Sequence, residues 1–355
     1  MEFPTEIWDA IFAEACDLRG RNAAAISQVS RYFRQTIAPY RLKSLVIYGE
    51  WQILAFHEAV KKMPPDVPRA RHLFIGLIPD SAVKDTRPVC DAVIDGWVQH
   101  HKETQTQRDN RIRQNTILSA SGMCPEGYTA MQKLMAGVTS LQRGATPKRP
   151  REYTHTQQTV VAGIIFQHST TLQTLTYLSP VSHISFKMFG RLPHLMDLTI
   201  ICLRSKSNFY EVHHNDQLRR QAQFPSLERL HLSCFNAEPL FRYDEFRPAA
   251  PNLRHLRFSG CECGLEFEKF HPHTKVLVQM ILMSSQAQRA QVFYMRRILS
   301  DQWYRERVVL LEPGHREDGR YGFFDALLDW LDVSTGGNAF WGATDQVTID
   351  ELAAR

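Results

Sequence analysis

One six-residue phrase recurs along this chain and narrows its fold more than any other feature: a leucine, two residues, a leucine, one residue, an apolar residue. It reads Leu42-Lys43-Ser44-Leu45-Val46-Ile47, and again at Leu172–Tyr177, Leu195–Ile200, Leu227–Leu232 and Leu253–Phe258, with a degenerate copy at Ala70–Ile75. The same cue introduces several copies: Leu192-Pro193-His194, Phe224-Pro225-Ser226 and Ala250-Pro251-Asn252. The alternation at the end of each phrase is that of a short strand with its leucines turned inward. Proline ends the segment before it, because the residue preceding a proline is pushed away from helix. One such unit cannot bury its own apolar face, so neighbouring units must stack.

The rest of the chain is organised around these phrases. Pro88–Asn115 opens with helix-like spacing at Val89, Ala92, Val93 and Trp97, but Gln99–Gln114 is nearly all polar and reads as a solvated helix or loop. Met131, Leu134, Met135 and Val138 predict a further helix, and Arg143–Glu152 a loop. Thr156–Ser169 predicts a helix feeding the next phrase. Beyond Cys263, Val276–Leu299 reads as helical, Val308–Leu311 as a strand and Phe323–Leu331 as an amphipathic helix. Phe340 and Trp341 in the tail are expected to cap the open end of the stack.

The first 45 residues are helical in pattern. Ile7, Ile11 and Phe12 share a face, Pro4 sits where a first-turn proline costs nothing, and Thr5 and Glu6 suit a positive helix end. Asn22–Thr36 predicts a second helix through Ile26, Val29, Phe33 and Ile37, closing at Pro39. The order Phe3-Pro4-Thr5-Glu6-Ile7 with Ile11-Phe12, then Val29-Ser30-Arg31 with Phe33-Arg34, then Pro39-Tyr40-Arg41-Leu42, resembles an F-box. The downstream phrases resemble an irregular leucine-rich repeat array. Phe3 stands where the family usually has leucine, and Arg19-Gly20-Arg21 gives a basic link.

The resemblance implies an α/β chain: a three-helix F-box at 1–47, then an irregular leucine-rich repeat-like solenoid at 48–335 with a polar insertion near 98–155, and a tail or cap at 336–355. It implies a substrate-recognition subunit of an SCF-type cullin–RING ubiquitin ligase, not itself an enzyme. Pro4, Ile7, Ile11, Phe12, Val29 and Phe33 would dock a Skp-type adaptor, and the repeats would hold a target protein. The alternative keeps the repeats as a non-ligase scaffold, with the helices serving as the stack's N-terminal cap.

Composition fits either reading. Of 355 residues 43% are hydrophobic and 22% charged, ordinary for a globular chain with a large core. A net charge of +5 is too small and too dispersed to demand nucleic acid. Seven scattered cysteines make no disulfide framework, which fits a reducing compartment. Glu2, Glu6, Asp9 and Glu14 are foreign to a secretory signal, and Val276–Met283 is too short to span a bilayer. The expected location is cytosol or nucleus, without a membrane partner.

No catalytic motif is present. Cys261-Glu262-Cys263, with His255, His271 and His273 nearby, is closer-spaced than zinc ligand pairs, so no metal or other cofactor is expected. His100-His101 and His213-His214 read as surface doublets, and Asp325 with Asp329 as a solvated helix face. Lys148-Arg149-Pro150-Arg151 reads as a charged loop or an import signal. The alternate positions of the phrases give Asp197, Thr199, Arg229, His231, His255 and Arg257. If strands align in register, Arg229, His231, His255 and Arg257 form an exposed cationic stripe suited to an acidic or phosphorylated target segment.

Overall fold

The computed structural model describes residues 7–8, 11–12, 26–37, 40, 42–64, 69–77, 156–179, 183–202, 208–210, 223–234, 246–259, 274–279, 299–302, 308–311 and 323–334. Two units divide the chain, Met1–Ile78 together with Glu152–Arg355, and Pro79–Arg151. Every described residue belongs to the first, so the polar insertion lies outside them.

Each leucine phrase is a strand. After α1 (Arg31–Thr36) come β1 (Ser44–Tyr48), α2 (Glu50–Lys61), β2 (His72–Gly76), α3 (Thr156–His168), β3 (Thr174–Ser179), β4 (His183–Ser185) and a 3₁₀ turn (Phe186–Phe189). Then follow β5 (Asp197–Cys202), β6 (Asn208–Tyr210), β7 (Arg229–Cys234), β8 (His255–Ser259), β9 (Lys275–Gln279), β10 (Val308–Leu311) and α4 (Phe323–Ser334). Eight strands form one sheet in the order β1-β2-β3-β5-β7-β8-β9-β10, and β4 pairs with β6 in a second sheet of two. All pairings are parallel.

Register places like on like. Leu73, Leu175, Leu198, Leu230, Leu256, Val276 and Val308 lie side by side across the large sheet. With Ile75, Tyr177, Ile200, Leu232, Phe258 and Val278 they form one buried core with Ile53 of α2 and Val160, Val161, Ile164 and Ile165 of α3. The proline cues have a structural reason as well. Ser226 Oγ donates to the carbonyl of Pro193 and Asn252 Nδ2 to that of Pro225, both at 2.7 Å. Proline lacks an N–H but keeps its acceptor, so each cue is tied to the one before.

The expected architecture is corrected. The chain is not a three-helix F-box followed by a leucine-rich repeat-like solenoid; it has a single eight-stranded all-parallel sheet with few helices, an α/β-like arrangement. Helix is present on both faces: α2 and α3 on the leucine side, and α4 on the other side against β2 and β3, with the Trp330 ring edge-on to Phe74 at 6.0 Å. The face expected to stay open is therefore covered, as a parallel sheet requires.

Two local readings also change. The helix expected over Asn22–Thr36 is interrupted at Ser30, whose extended backbone (φ −157°) and Oγ cap α1 by accepting from Phe33 N–H at 3.0 Å. Val276–Leu299, expected to be helical, begins with β9, since Val276 and Val278 extend the leucine row. Among the described residues no helix is long and apolar enough to cross a membrane.

Candidate functional site

Two regions carry side chains that packing alone does not explain: the α4-facing side of the sheet and the N-terminal helical segment.

Strand alternation puts Asp197, Arg229, His255 and Lys275 in one row on the α4 side, and Thr199, His231 and Arg257 in the next. Burial separates the basic residues of β7, β8 and β9. His231 is 1% exposed and Arg257 2%, whereas Arg229, His255 and Lys275 are half-buried. The structure thus corrects the expectation that Arg229, His231, His255 and Arg257 form one solvent-facing stripe. His231 and Arg257 have partners within the chain: His231 Nε2 and Ser259 Oγ share a hydrogen bond of 2.8 Å, and Arg257 Nη1 donates to Asp329 Oδ2 of α4 at 3.0 Å. Asp325 and Asp329 are accordingly buried, not solvated.

The outer row is also partly occupied. Arg229 holds Asp197 through two contacts, Nη2 donating to Oδ2 at 2.8 Å and Nε facing Oδ1. Charge assistance makes the Nη2–Oδ2 bond one of the strong kind. Burial raises the Asp197 carboxyl above its ordinary range, and the hydrogen bond from Arg229 opposes that rise. His72 Nδ1 and Thr174 Oγ1 continue the row at 3.1 Å. Burial, reinforced by Arg257, holds His231 well below the usual imidazole value, so it is neutral at physiological pH. His255 is lowered by burial, then by Lys275 and Arg229.

The N-terminal segment has a core of its own. Phe12 and Ile37 are buried, with Trp8, Ile26, Phe33 and Tyr40 packed against them. The rings of Trp8, Phe12 and Phe33 meet with centroids 4.8–5.5 Å apart, Trp8 stacked on Phe12 and Phe33 edge-on to Phe12. Other apolar residues face water: Ile7 is 46% exposed, Ile11 45% and Val29 67%. Residues 7–8 and 11–12 are helical, which sets Ile7 and Ile11 one turn apart on one face. Of the six residues expected to dock an adaptor, Ile7, Ile11 and Val29 are outside, Phe12 and Phe33 are spent on the internal core, and Pro4 lies outside the described residues.

Sequence reasoning missed Lys275, because Val276–Leu299 read as a helix; the β-branched Val276 and Val278 were the signal for a strand. Cys261, Cys263 and His271 are outside the described residues, among which no cluster of three metal-ligating side chains occurs. No protein-family model matches this chain, and no curated protein matches it in sequence.

Proposed function

We propose that this chain is a substrate-recruiting subunit of an SCF-type ubiquitin ligase, acting in the cytosol or nucleus, whose N-terminal segment docks a Skp-type adaptor. The observation that carries the reading is the exposure of Ile7, Ile11 and Val29 on the same N-terminal segment that packs Phe12 and Ile37 inside. Apolar side chains left in water beside a packed cluster are best accounted for by a partner. The resemblance of residues 3–47 to an F-box supplies the partner's identity. The chain performs no bond chemistry in this role; it raises the effective concentration of a target near the ligase's charged ubiquitin carrier.

Co-expression with a Skp-type adaptor, followed by size-exclusion chromatography, tests the reading. A stable complex is expected for the wild type and is lost in Ile7→Asp/Ile11→Asp. Because both side chains are already exposed, the variant keeps its fold, as circular dichroism will verify. A folded wild type that forms no complex refutes the assignment.

A further inference from the structure

Each arginine of the α4-facing side holds an aspartate: Arg229 holds Asp197, and Arg257 holds Asp329. Lys275, on the next strand, pairs with no carboxylate among the described residues. Register sets Arg229 beside His255 and His255 beside Lys275. With neighbouring strands about 4.8 Å apart, the three span about 10 Å along one line. All three remain half-buried, at the N-terminal ends of β7, β8 and β9. The row beneath them, where Arg257 meets Asp329, is closed. Arg254, exposed just before β8, adds a third cationic group within electrostatic reach of His255.

The electrostatics agree with that geometry. Burial, then Lys275, Arg229 and Arg254, all disfavour a protonated His255, while Glu228 alone opposes them. Positive charge is therefore gathered around one imidazole, with Glu228 the acid that opposes it among the described residues. A carboxylate placed over Lys275 would do there what Asp197 does for Arg229 and Asp329 for Arg257.

We propose that His255 and Lys275 of this row, flanked by Arg229 and Arg254, bind an acidic segment of a partner polypeptide through aspartate or glutamate carboxylates. The identity of that partner as a ligase target rests on the receptor reading; the binding itself does not. A half-buried position strengthens a charge-assisted hydrogen bond relative to open water, and the donors are already set in line by the strands.

The test uses the full chain without adaptor and a fluorescent peptide of alternating glutamate and glycine, read by anisotropy and by the His255 C2–H resonance, assigned with His255→Gln. Expected are salt-dependent binding, a rise in the His255 pKa, and a loss of about tenfold in affinity for Lys275→Met. Arg254→Ala, at an exposed position that cannot unfold the sheet, is expected to weaken binding in the same direction. Several results would overturn the site: no binding of the glutamate peptide, equal binding of its glutamine counterpart, indifference to both substitutions, or binding only of a phosphoserine version. A chain that binds this peptide but no adaptor loses the ligase assignment and keeps the site; one that binds adaptor but not peptide does the reverse.

Discussion

The face of the sheet that meets α2 and α3 carries Leu73, Leu175, Leu198, Leu230 and Leu256 in one row; the face that meets α4 carries Phe74, Thr176, Thr199, His231 and Arg257 in the equivalent row. Both rows are mostly buried, yet they are held by different physics. The leucine row gains from removing apolar surface from water and tolerates small errors of position. The other row depends on particular partners, since a buried guanidinium or imidazole is costly unless a matching group meets it. The lesson is that the two sides of one sheet fail in different ways. The first fails by cavity, the second by orphaned charge.

The largest expected effect breaks the charged side. Asp329→Ala removes the carboxylate that the buried Arg257 Nη1 holds and should lower stability by about 3–5 kcal/mol in denaturant unfolding. Replacing both partners together, as Arg257→Met/Asp329→Leu, should restore most of that loss, because the cost lies in the stranded charge and not in the missing attraction. If the double variant is as unstable as the single one, the pair is needed for more than neutralising itself.

A smaller effect appears with acid, on the apolar side. His168, at the end of α3, accepts a hydrogen bond at Nδ1 from Ala70 N–H at 3.0 Å and stacks on Phe56. Burial, then the charge of Arg69, pushes its pKa down from 6.5 to about 4. A histidine depressed in the folded state binds its proton more readily when unfolded. Its contribution is therefore present above pH 6.5 and is lost as pH falls toward about 4, a drop of about 3 kcal/mol over that window. His168→Asn keeps an acceptor for Ala70 and should flatten the fall; an unchanged pH profile would assign the acid sensitivity elsewhere, His231 being the next group with the same sign.

The smallest effect probes how closely α2 and α3 approach. A Cβ on Gly163 would stand 2.6 Å from His57 Nε2. Alanine gains about 1 kcal/mol over glycine inside a helix, and displacing the ring returns a similar amount. Gly163→Ala should thus change stability by less than about 1 kcal/mol alone, and stabilise clearly once His57→Ala has removed the obstruction. Thermal melts of the two single variants and the double one decide it.

How much of this could be read in advance follows the same division. The leucine side was legible because its information is local: Leu198 and Ile200, or Leu230 and Leu232, announce an inward face within a few residues, and the proline cues mark where each strand begins. The charged side was legible only in part. Alternation correctly grouped Arg229 with His231 and His255 with Arg257. Nothing near Arg257 in sequence says that Asp329 will reach it from 72 residues away, so the stripe read as open and the Asp325/Asp329 face as wet. The N-terminal segment was mixed in the same sense. Periodicity found its apolar residues, but it could not separate Phe12 and Phe33, which meet edge to face, from Ile7 and Ile11, which face water.

The position of α4 in the chain has a consequence for synthesis. It lies against β2 and β3, yet it is made after every strand described. While the ribosome works through the intervening residues, at roughly 5–20 per second, Phe74 and Arg257 have no lid. For those seconds the growing chain offers an apolar ring and a guanidinium to whatever chaperone or neighbour is at hand. A stop codon placed just before Phe323 would make that exposure permanent, and quality-control machinery would meet a sheet finished on one side only.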